Sequence, residues 1–264
     1  MATPKRRPHV LIAGGGIGGL AAVLALLKRG IDVDVYEQAS ELREVGAGVQ
    51  LSANGIRVLH ELGVHEALRA LACEASGKEV RLWNSGQTWK LFDLGAVSIE
   101  RYGFPYYLVY RPDLLAVLAD GVRREKPDAI HLNARCAGFE QSARGVTLLL
   151  EAEEVHGDVL LGADGVHSRV REALCHADFT GWHDDIHRMI DNIETPYKWA
   201  LMGRAPLEKW SVGRVSLLGD ACHPALPAYA QGATSRMVRG AGEAALRVAV
   251  HLRRDGGGGV IRGR

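Results

Sequence analysis

The sequence predicts an α/β protein in which helices wrap a parallel sheet. Three observations carry this prediction. An apolar strand at residues 9–13, a glycine-rich loop and an apolar helix at residues 17–29 open the chain. Gly30 ends that helix and a second strand follows at residues 31–36, which completes a βαβ unit. Far downstream, the buried strand at residues 214–218 runs into a Gly-Asp pair, Gly219-Asp220.

Composition excludes several classes of protein. The 264 residues carry a net charge of +1, so no global field attracts nucleic acid or an acidic membrane. The cysteines are scattered without a CxxC pair, which is typical of reduced thiols and indicates a cytoplasmic location; they are Cys73, Cys136, Cys175 and Cys222.

One stretch imitates a targeting signal. Basic residues 5–7 precede an uncharged run at residues 10–27, as in a signal peptide or a short membrane span. The glycines inside the run and the charged strand after it favour a buried strand, loop and helix instead. We therefore expect no membrane association.

The rest of the chain alternates between short helices and strands. The predicted helices cover residues 54–62, 64–71, 113–124 and 166–174. Alternation over residues 78–94 predicts a hairpin with Gly86 at its turn, and residues 130–161 contain three or four strands.

The glycine loop has the spacing of a dinucleotide-binding turn. Gly14 makes the tight turn, Gly16 lets the backbone approach a pyrophosphate, and Gly19 lets the helix pack on the sheet. Free amide groups at the helix start would face the phosphates. Glu37 ends the second strand at the position of a carboxylate that binds ribose hydroxyls, which favours FAD or NAD over NADP. The alternative is a structural turn beside a solvated Glu37.

Several motifs in order resemble the single-component flavoprotein aromatic hydroxylases, in the branch of 3-hydroxybenzoate 6-hydroxylase and salicylate hydroxylase. The matching segments are residues 43–54, 110–114, 162–171, 183–187, 196–201 and 219–224. The resemblance extends from about residue 10 to residue 233. It implies a Rossmann-like FAD-binding domain with a parallel sheet, plus a remnant of an antiparallel β substrate domain.

The resemblance also implies which residues contact the cofactor. Asp220 would accept hydrogen bonds from the ribitol hydroxyls, and Arg43 and Arg111 would lie along the pyrophosphate and flavin. Asp164 would lie where FAD binding is coordinated with docking of the nicotinamide donor. The full predicted set is Gly14, Gly16, Ile17, Gly19, Glu37, Arg43, Gln50, Arg111, Asp164, Gly219, Asp220, Gly232 and Ala233. Each of these residues also has an ordinary structural explanation when it is considered alone. Asp164-Gly165 could form a simple turn, Asp220 could cap a helix, and Arg111 could be a surface charge.

Two places depart from the family pattern. Residues 179–182 join two motifs that a domain's worth of chain separates in relatives, which indicates an internal deletion. After Ala233 an arginine-rich, glycine-rich tail replaces the family's acidic helix. The expected organisation is a FAD-binding domain at 1–179, with the hairpin 78–94 toward the substrate domain, a substrate-domain remnant at 183–212, a return to the FAD-binding domain at 213–235, and a disordered or non-native tail at 236–264.

The resemblance implies hydroxylation of a monohydroxybenzoate, of the 3-hydroxybenzoate or salicylate type, with FAD, NADH and O₂. A small aromatic acid is the expected substrate, and the sequence leaves open whether the protein forms a homodimer. An uncoupled or non-catalytic FAD-binding remnant, and an FAD-dependent oxidase or reductase, are the alternatives. The catalytic residues are not predicted, and most residues that bind the substrate carboxylate and phenol would belong to the deleted part. His183 and His187 have a zinc-type spacing, but Asp184 stands where a zincin needs Glu, and no metal site is predicted.

Overall fold

The fold is a parallel sheet with helices on one face and an antiparallel sheet on the other. The computed structural model describes residues 8–42, 48–165, 167–175, 211–218, 221 and 261–263. The strands are β1 (His9–Ala13), β2 (Asp32–Tyr36), β3 (Gly48–Leu51), β4 (Cys73–Glu74), β5 (Gly77–Arg81), β6 (Thr88–Asp93), β7 (Tyr107–Tyr110), β8 (Ile130–His131), β9 (Cys136–Ser142), β10 (Gly145–Leu150), β11 (Glu154–Gly157), β12 (Val159–Gly162), β13 (Ser211–Val212), β14 (Val215–Leu217) and β15 (Ile261–Gly263). The helices are α1 (Ile17–Leu27), α2 (Ala53–Glu61), α3 (His65–Arg69), α4 (Gly95–Tyr102), α5 (Arg111–Glu125) and α6 (Arg169–Cys175).

The predicted βαβ unit is confirmed. β1 and β2 pair in parallel, and α1 between them is buried along almost its whole length, as an apolar helix in a protein core must be. The helix ends at Leu27, two residues earlier than predicted. The next turn tightens, with the Arg29 amide donating to Leu26 and Gly30 adopting a φ of 69°, which reverses the chain into β2.

The central sheet has six strands in the order β13-β14-β12-β1-β2-β8. The contacts β14–β12, β12–β1, β1–β2 and β2–β8 are all parallel, so these strands end at the same edge of the sheet. β12 lies beside β1 although almost 150 residues separate them in the chain. This order brings the loop after β1 and the loop after β12 together.

Two apolar cores flank the sheet. On one face α1 and α5 pack side by side, and a Cβ on Gly121 of α5 would lie 3.2 Å from the Leu24 side chain of α1. On the other face the β9–β11 meander packs through Phe139 and Leu148 against Leu11. Both cores therefore hold the carboxyl edge of the sheet in a fixed position.

The other sequence predictions differ in their bounds. The 78–94 hairpin is present as β5 and β6, with Gly86 at a φ of 70° in its turn. Five strands, rather than three or four, occupy the stretch from Ile130 to Gly162. The helix predicted from residue 166 begins at Arg169, because the preceding residues form its capping loop.

The predicted division into domains is tested by little of the described chain. Residues 211–212, expected in the substrate-domain remnant, form β13 in the central sheet. The rest of that remnant, residues 183–210, lies outside the described residues, as do residues 222–260. In the predicted disordered tail the structure differs at residues 261–263, which form β15 and pair with β9. Within the described ranges, no helix combines the length and the apolar character that crossing a membrane requires.

Candidate functional site

The glycine loop lies at the carboxyl edge of the sheet, between β1 and α1. Gly14 has a φ of 103° and donates its amide to the Tyr36 carbonyl at 2.8 Å. A Cβ on Gly14 would lie 2.6 Å from the Ala163 carbonyl carbon, and a Cβ on Gly19 would overlap the Gly14 carbonyl. These two glycines therefore allow close packing of loop, helix and β12 loop, as the spacing predicts.

Gly16 differs from its neighbours because its Cβ position is open. Nothing lies within 4 Å of that position, and Gly16 is the N-cap of α1 with extended backbone. Ile17, the first residue of the helix, is buried, so it can offer a ligand only its backbone. Amides of the first helical turn have no partner within the helix. The start of α1 thus offers N–H donors of the kind that bind a pyrophosphate.

Glu37 lies against the same loop. It directly follows β2, and its carboxylate accepts hydrogen bonds from the Gly15 amide at 2.7 Å and the Ala39 amide at 3.0 Å. A Cβ on Gly15 would lie 3.0 Å from the Glu37 Cβ. The predicted ribose carboxylate and the predicted pyrophosphate loop are therefore adjacent.

Asp164 follows β12 and caps α6. Its carboxylate accepts hydrogen bonds from the Ser168 hydroxyl at 2.5 Å, the Arg169 amide at 2.7 Å and the Val170 amide at 3.1 Å. Burial raises the pKa of this carboxyl, and the three donors oppose the rise. The Asp-Gly pair forms a turn whose carboxylate orders the next helix, with Gly165 at a φ of 79°, and the role of Asp164 in cofactor binding stays a prediction.

Sequence reasoning missed two residues of this loop. Ser168 is the N-cap of α6, and its hydroxyl oxygen also accepts a hydrogen bond from the Arg171 amide at 2.9 Å. The Arg171 side chain is buried and donates to the Ala221 carbonyl at 3.1 Å. A serine directly before a helix is a recognisable cap signal, whereas nothing local indicates the contact with Ala221.

Five predicted cofactor residues lie outside the described residues, namely Arg43, Gly219, Asp220, Gly232 and Ala233. Their neighbours in the chain are informative. Leu218 donates its amide to the Gly162 carbonyl at 2.7 Å, and Ala221 is held by Arg171. β14 is separated from β1 by β12 alone, which corresponds to roughly 10 Å between strand axes. The residues on both sides of the Gly-Asp pair thus lie at the edge that carries the glycine loop.

Gln50 lies on a separate antiparallel sheet, in the order β3-β7-β4, and Arg111 directly follows β7 of that sheet. The Gln50 side-chain carbonyl accepts a hydrogen bond from the Tyr106 hydroxyl at 2.6 Å. Arg111 begins α5 directly after β7, whose last residue pairs with Gly48. The structure therefore brings these two predicted residues to the same pair of strands, and their contact with a cofactor stays a prediction.

A charged cluster surrounds Asp34 in the middle of β2. Its carboxylate is bonded to the His9 ring at 2.7 Å and accepts from the Lys126 ammonium at 2.8 Å, with the His131 ring at 3.3 Å. Burial opposes ionisation of Asp34, but these partners lower its pKa to about 2. The hydrogen bond to Asp34 raises the pKa of His9. Within the described part of the chain no three His, Cys, Asp or Glu side chains are arranged for a metal ion, and this cluster is structural.

The geometry fits an FAD dinucleotide. The open Cβ position of Gly16 leaves room for a phosphate against the amides of α1, and Glu37 lies beside that space. Comparison with known proteins decides between the cofactors that this loop alone allows. A sequence profile described as an FAD binding domain matches residues 7–198. The chain belongs to the family of FAD-dependent aromatic monooxygenases.

Curated relatives in this family cover most of the chain. The 3-amino-4-hydroxybenzoate 2-monooxygenase PtnB3 of Streptomyces platensis is 31% identical over 304 residues, covering 86% of this chain and 76% of that protein. The 3-hydroxybenzoate 6-hydroxylase of Polaromonas naphthalenivorans is 31% identical, in an alignment that covers 88% of this chain and 77% of that protein. The 6-hydroxynicotinate 3-monooxygenase of Pseudomonas fluorescens is 26% identical over 90% of this chain and 82% of its own.

Solved structures agree on the fold of the FAD-dependent monooxygenases. Klebsiella pneumoniae HpxO, complexed with FAD and uric acid, superposes with a TM-score of 0.70 at 24% identity over 94% of this chain and 81% of that chain. The tetrameric form of 2-methyl-3-hydroxypyridine-5-carboxylic acid oxygenase gives a TM-score of 0.70 at 22% identity over 95% of this chain and 84% of that chain.

The sequence alignments also measure the departure from the family pattern. The 86% of this chain that aligns with the Streptomyces platensis relative is about 227 residues, so about 77 of the 304 aligned positions hold no residue of this chain. The chain is therefore shorter than this relative within the region that the two share.

Proposed function

We propose that this chain is an FAD-dependent monooxygenase that hydroxylates a monohydroxybenzoate, of the 3-hydroxybenzoate or salicylate type, with NADH and O₂. The balanced reaction takes one aromatic C–H, one O₂, one NADH and one proton to a phenol, water and NAD⁺. The observation that carries the proposal is the meeting of the glycine loop, Glu37 and the Asp164 loop at one edge of the sheet. That edge is where a long dinucleotide is held in parallel α/β folds.

Each residue at this edge has a task in holding the cofactor. FAD, when bound, supplies the redox and O₂ chemistry of the reaction. The amides around Gly16 would bind its pyrophosphate and Glu37 its ribose hydroxyls. Asp220 precedes Ala221, whose carbonyl accepts a hydrogen bond from Arg171, and would accept hydrogen bonds from the ribitol. The protein's own contribution is therefore position, charge and exclusion of water.

The proposed substrate class rests on the names of the relatives. Two of them act on hydroxybenzoates and one on a hydroxynicotinate, all of them hydroxylated aromatic acids. An electron-rich ring that carries a carboxylate is their common feature. We infer a small aromatic acid for this chain, and NADH as the electron donor.

A second candidate function is favoured by the roughly 77 positions of the Streptomyces platensis alignment that hold no residue of this chain. The segment that covers the substrate in relatives would fall in the missing stretch. A site open to water would bind FAD and oxidise NADH but release peroxide instead of hydroxylating the ring. The alternative function is therefore that of an uncoupled remnant of the family enzyme, or of an oxidase or reductase on the same scaffold.

Purified holoprotein separates these functions. NADH consumption is measured with 3-hydroxybenzoate, with salicylate and without an aromatic acid; product is followed by chromatography and peroxide by oxygen return on adding catalase. One dihydroxybenzoate for each NADH supports the hydroxylase. NADH consumption that yields peroxide alone supports the remnant or oxidase, and a protein that fails to bind FAD overturns both. The Gly16→Ala variant is the control for turnover that depends on the loop.

A further inference from the structure

The β5–β6 hairpin is an isolated two-stranded sheet. β5 pairs with β6 and with no other described strand. Residues 78–93 are all exposed, and Trp83 at the tip is 94% exposed. A lone two-stranded hairpin is marginally stable in water, and an unpaired strand edge is a template for another strand. Among the described residues, the outer edge of this hairpin therefore has no strand partner.

The two faces of the hairpin differ in character. Val80 lies directly opposite Trp89, and the irregularity in β6 places Phe92 opposite Lys78. Because side chains alternate along a strand, Val80, Trp89 and Phe92 share one face. Glu79 and Arg81 belong to the other face. The hairpin is therefore amphipathic, with its apolar side chains about half exposed.

The outer edge of β5 can be assigned from one hydrogen bond. The Leu82 amide donates to the Gln87 carbonyl at 2.9 Å, so the main-chain polar groups of Leu82 point toward β6. In an antiparallel pair this direction alternates from residue to residue. The N–H and C=O groups of Glu79 and Arg81 therefore point away from β6, toward the open edge.

This edge is complementary to itself. If two copies of β5 pair antiparallel about Val80, Glu79 of each copy lies opposite Arg81 of the second copy. Opposite charges directly across a strand pair are favourable, and like charges are unfavourable. Lys78 comes opposite Leu82 of the second copy, and its alkyl stem can cover that side chain. A two-fold axis satisfies all of these pairs at once.

We propose that the outer edge of β5 is a dimerisation surface, where a second copy of this chain extends the hairpin to a four-stranded antiparallel sheet. Val80 is then flanked by Trp89 of its own chain and by Val80 of the second copy. This chain lacks residues at about 77 positions of its alignment with the Streptomyces platensis relative, so it has fewer residues of its own to cover the hairpin. Main-chain hydrogen bonds supply affinity and the charge pairs fix the register.

The test is a charge reversal with a complementary partner. Glu79→Arg places arginine opposite arginine at both two-fold-related positions, and Arg81→Glu places glutamate opposite glutamate. Sedimentation equilibrium of the FAD-loaded protein should show a dimer with a micromolar Kd. Each single variant should associate at least about tenfold more weakly. An equimolar mixture of the two should recover the dimer, because the two arginines of one β5 strand then lie opposite the two glutamates of the other.

Two further variants complete the experiment. The double variant Glu79→Arg/Arg81→Glu restores opposite charges within one chain and should dimerise like the parent. Arg123→Glu makes the same charge change as Arg81→Glu on the exposed side of α5 and should leave the dimer intact. A parent protein that stays monomeric, single variants that dimerise normally, or a mixture that stays monomeric would each overturn the proposal.

Discussion

Gly14 and Ala163 lie in such close contact that a side chain on the glycine would overlap the alanine carbonyl group. The two residues are about 150 positions apart in the chain, one after β1 and one after β12. The same contact places the Cα of Asp164 2.8 Å from the position of that missing Cβ. The predicted pyrophosphate loop and the Asp-Gly loop therefore form one packed unit.

Gly14→Ala should destabilise the protein as a whole. The new methyl group meets backbone atoms of Ala163, and the φ of 103° is unfavourable for any residue with a Cβ. We expect a loss of about 3 kcal/mol in the free energy of unfolding, measured by urea denaturation. A loss below about 0.5 kcal/mol would contradict the close packing of the two loops.

Gly16→Ala is the matched change two residues away, and it should act on binding. Its Cβ points into open space and its backbone is extended, so the fold should lose at most about 1 kcal/mol. The methyl group would occupy the approach of the pyrophosphate, and FAD affinity should fall about tenfold or more. The measurement is a fluorescence titration of the apoprotein with FAD. Unchanged affinity would place the dinucleotide elsewhere.

Asp164→Asn should weaken the start of α6. An amide keeps one acceptor oxygen but turns its NH₂ group toward donors, so a hydrogen bond to Ser168, Arg169 or Val170 is lost. We expect a cost of about 2 kcal/mol in the free energy of unfolding. Asp120→Asn, on the exposed side of α5, serves as control and should cost less than about 0.5 kcal/mol. Equal effects of the two changes would rule out the capping role.

Arg171→Met should lower FAD affinity because Arg171 contacts Ala221, the residue that follows the Gly219-Asp220 pair. The change leaves the Ala221 carbonyl without its guanidinium donor, next to the residue predicted to bind the ribitol. We expect FAD affinity to fall about tenfold, with a cost in stability of about 1–3 kcal/mol. Arg171→Lys keeps a donor and should be intermediate in both measurements. A loss of stability with unchanged affinity would show that Arg171 supports only the sheet.

The Asp34 cluster should make stability depend on pH. The folded pKa of Asp34, about 2, lies below its ordinary value of 3.8. Its ionised form therefore contributes about 2 kcal/mol above pH 3.8, and this contribution is lost as the pH falls toward 2. His9 has a raised pKa, so its contribution is present below pH 6.5 and is lost as the pH rises through the raised value.

Asp34→Asn removes both contributions. Urea denaturation from pH 2.5 to pH 8 should show a flatter profile than the parent, with the largest difference near pH 5 and convergence at the acid end. Parallel profiles for the two proteins would mean that Asp34 is not the titrating group.

Local patterns predicted the parts of the fold that depend on neighbours in the chain. The spacing of Gly14, Gly16 and Gly19 predicted the turn, the N-terminal end of α1 and the close approach of helix and strand, all of which the structure has. Alternation with Gly86 predicted the β5–β6 hairpin. These features follow from backbone conformation and side-chain period, which short segments determine by themselves.

Contacts between distant segments were not predictable in the same way. The position of β12 beside β1 depends on how a parallel sheet is ordered, and no local pattern specifies that order. The contact of Arg171 with Ala221 depends on this strand order. The cluster of His9, Lys126 and His131 around Asp34 likewise depends on which distant segments pack against β2. Asp34 looks like an ordinary polar position in a strand until its neighbours are known.

The insertion of β12 between β1 and β14 has a consequence for biosynthesis. β1, α1 and β2 leave the ribosome early, yet one edge of β1 has no partner until residues 159–162 have been made. During that interval a nascent chain exposes an apolar strand edge, the kind of surface that aggregates or recruits chaperones. Translation speed between residues 36 and 159 should therefore influence how much protein reaches the native state in a cell.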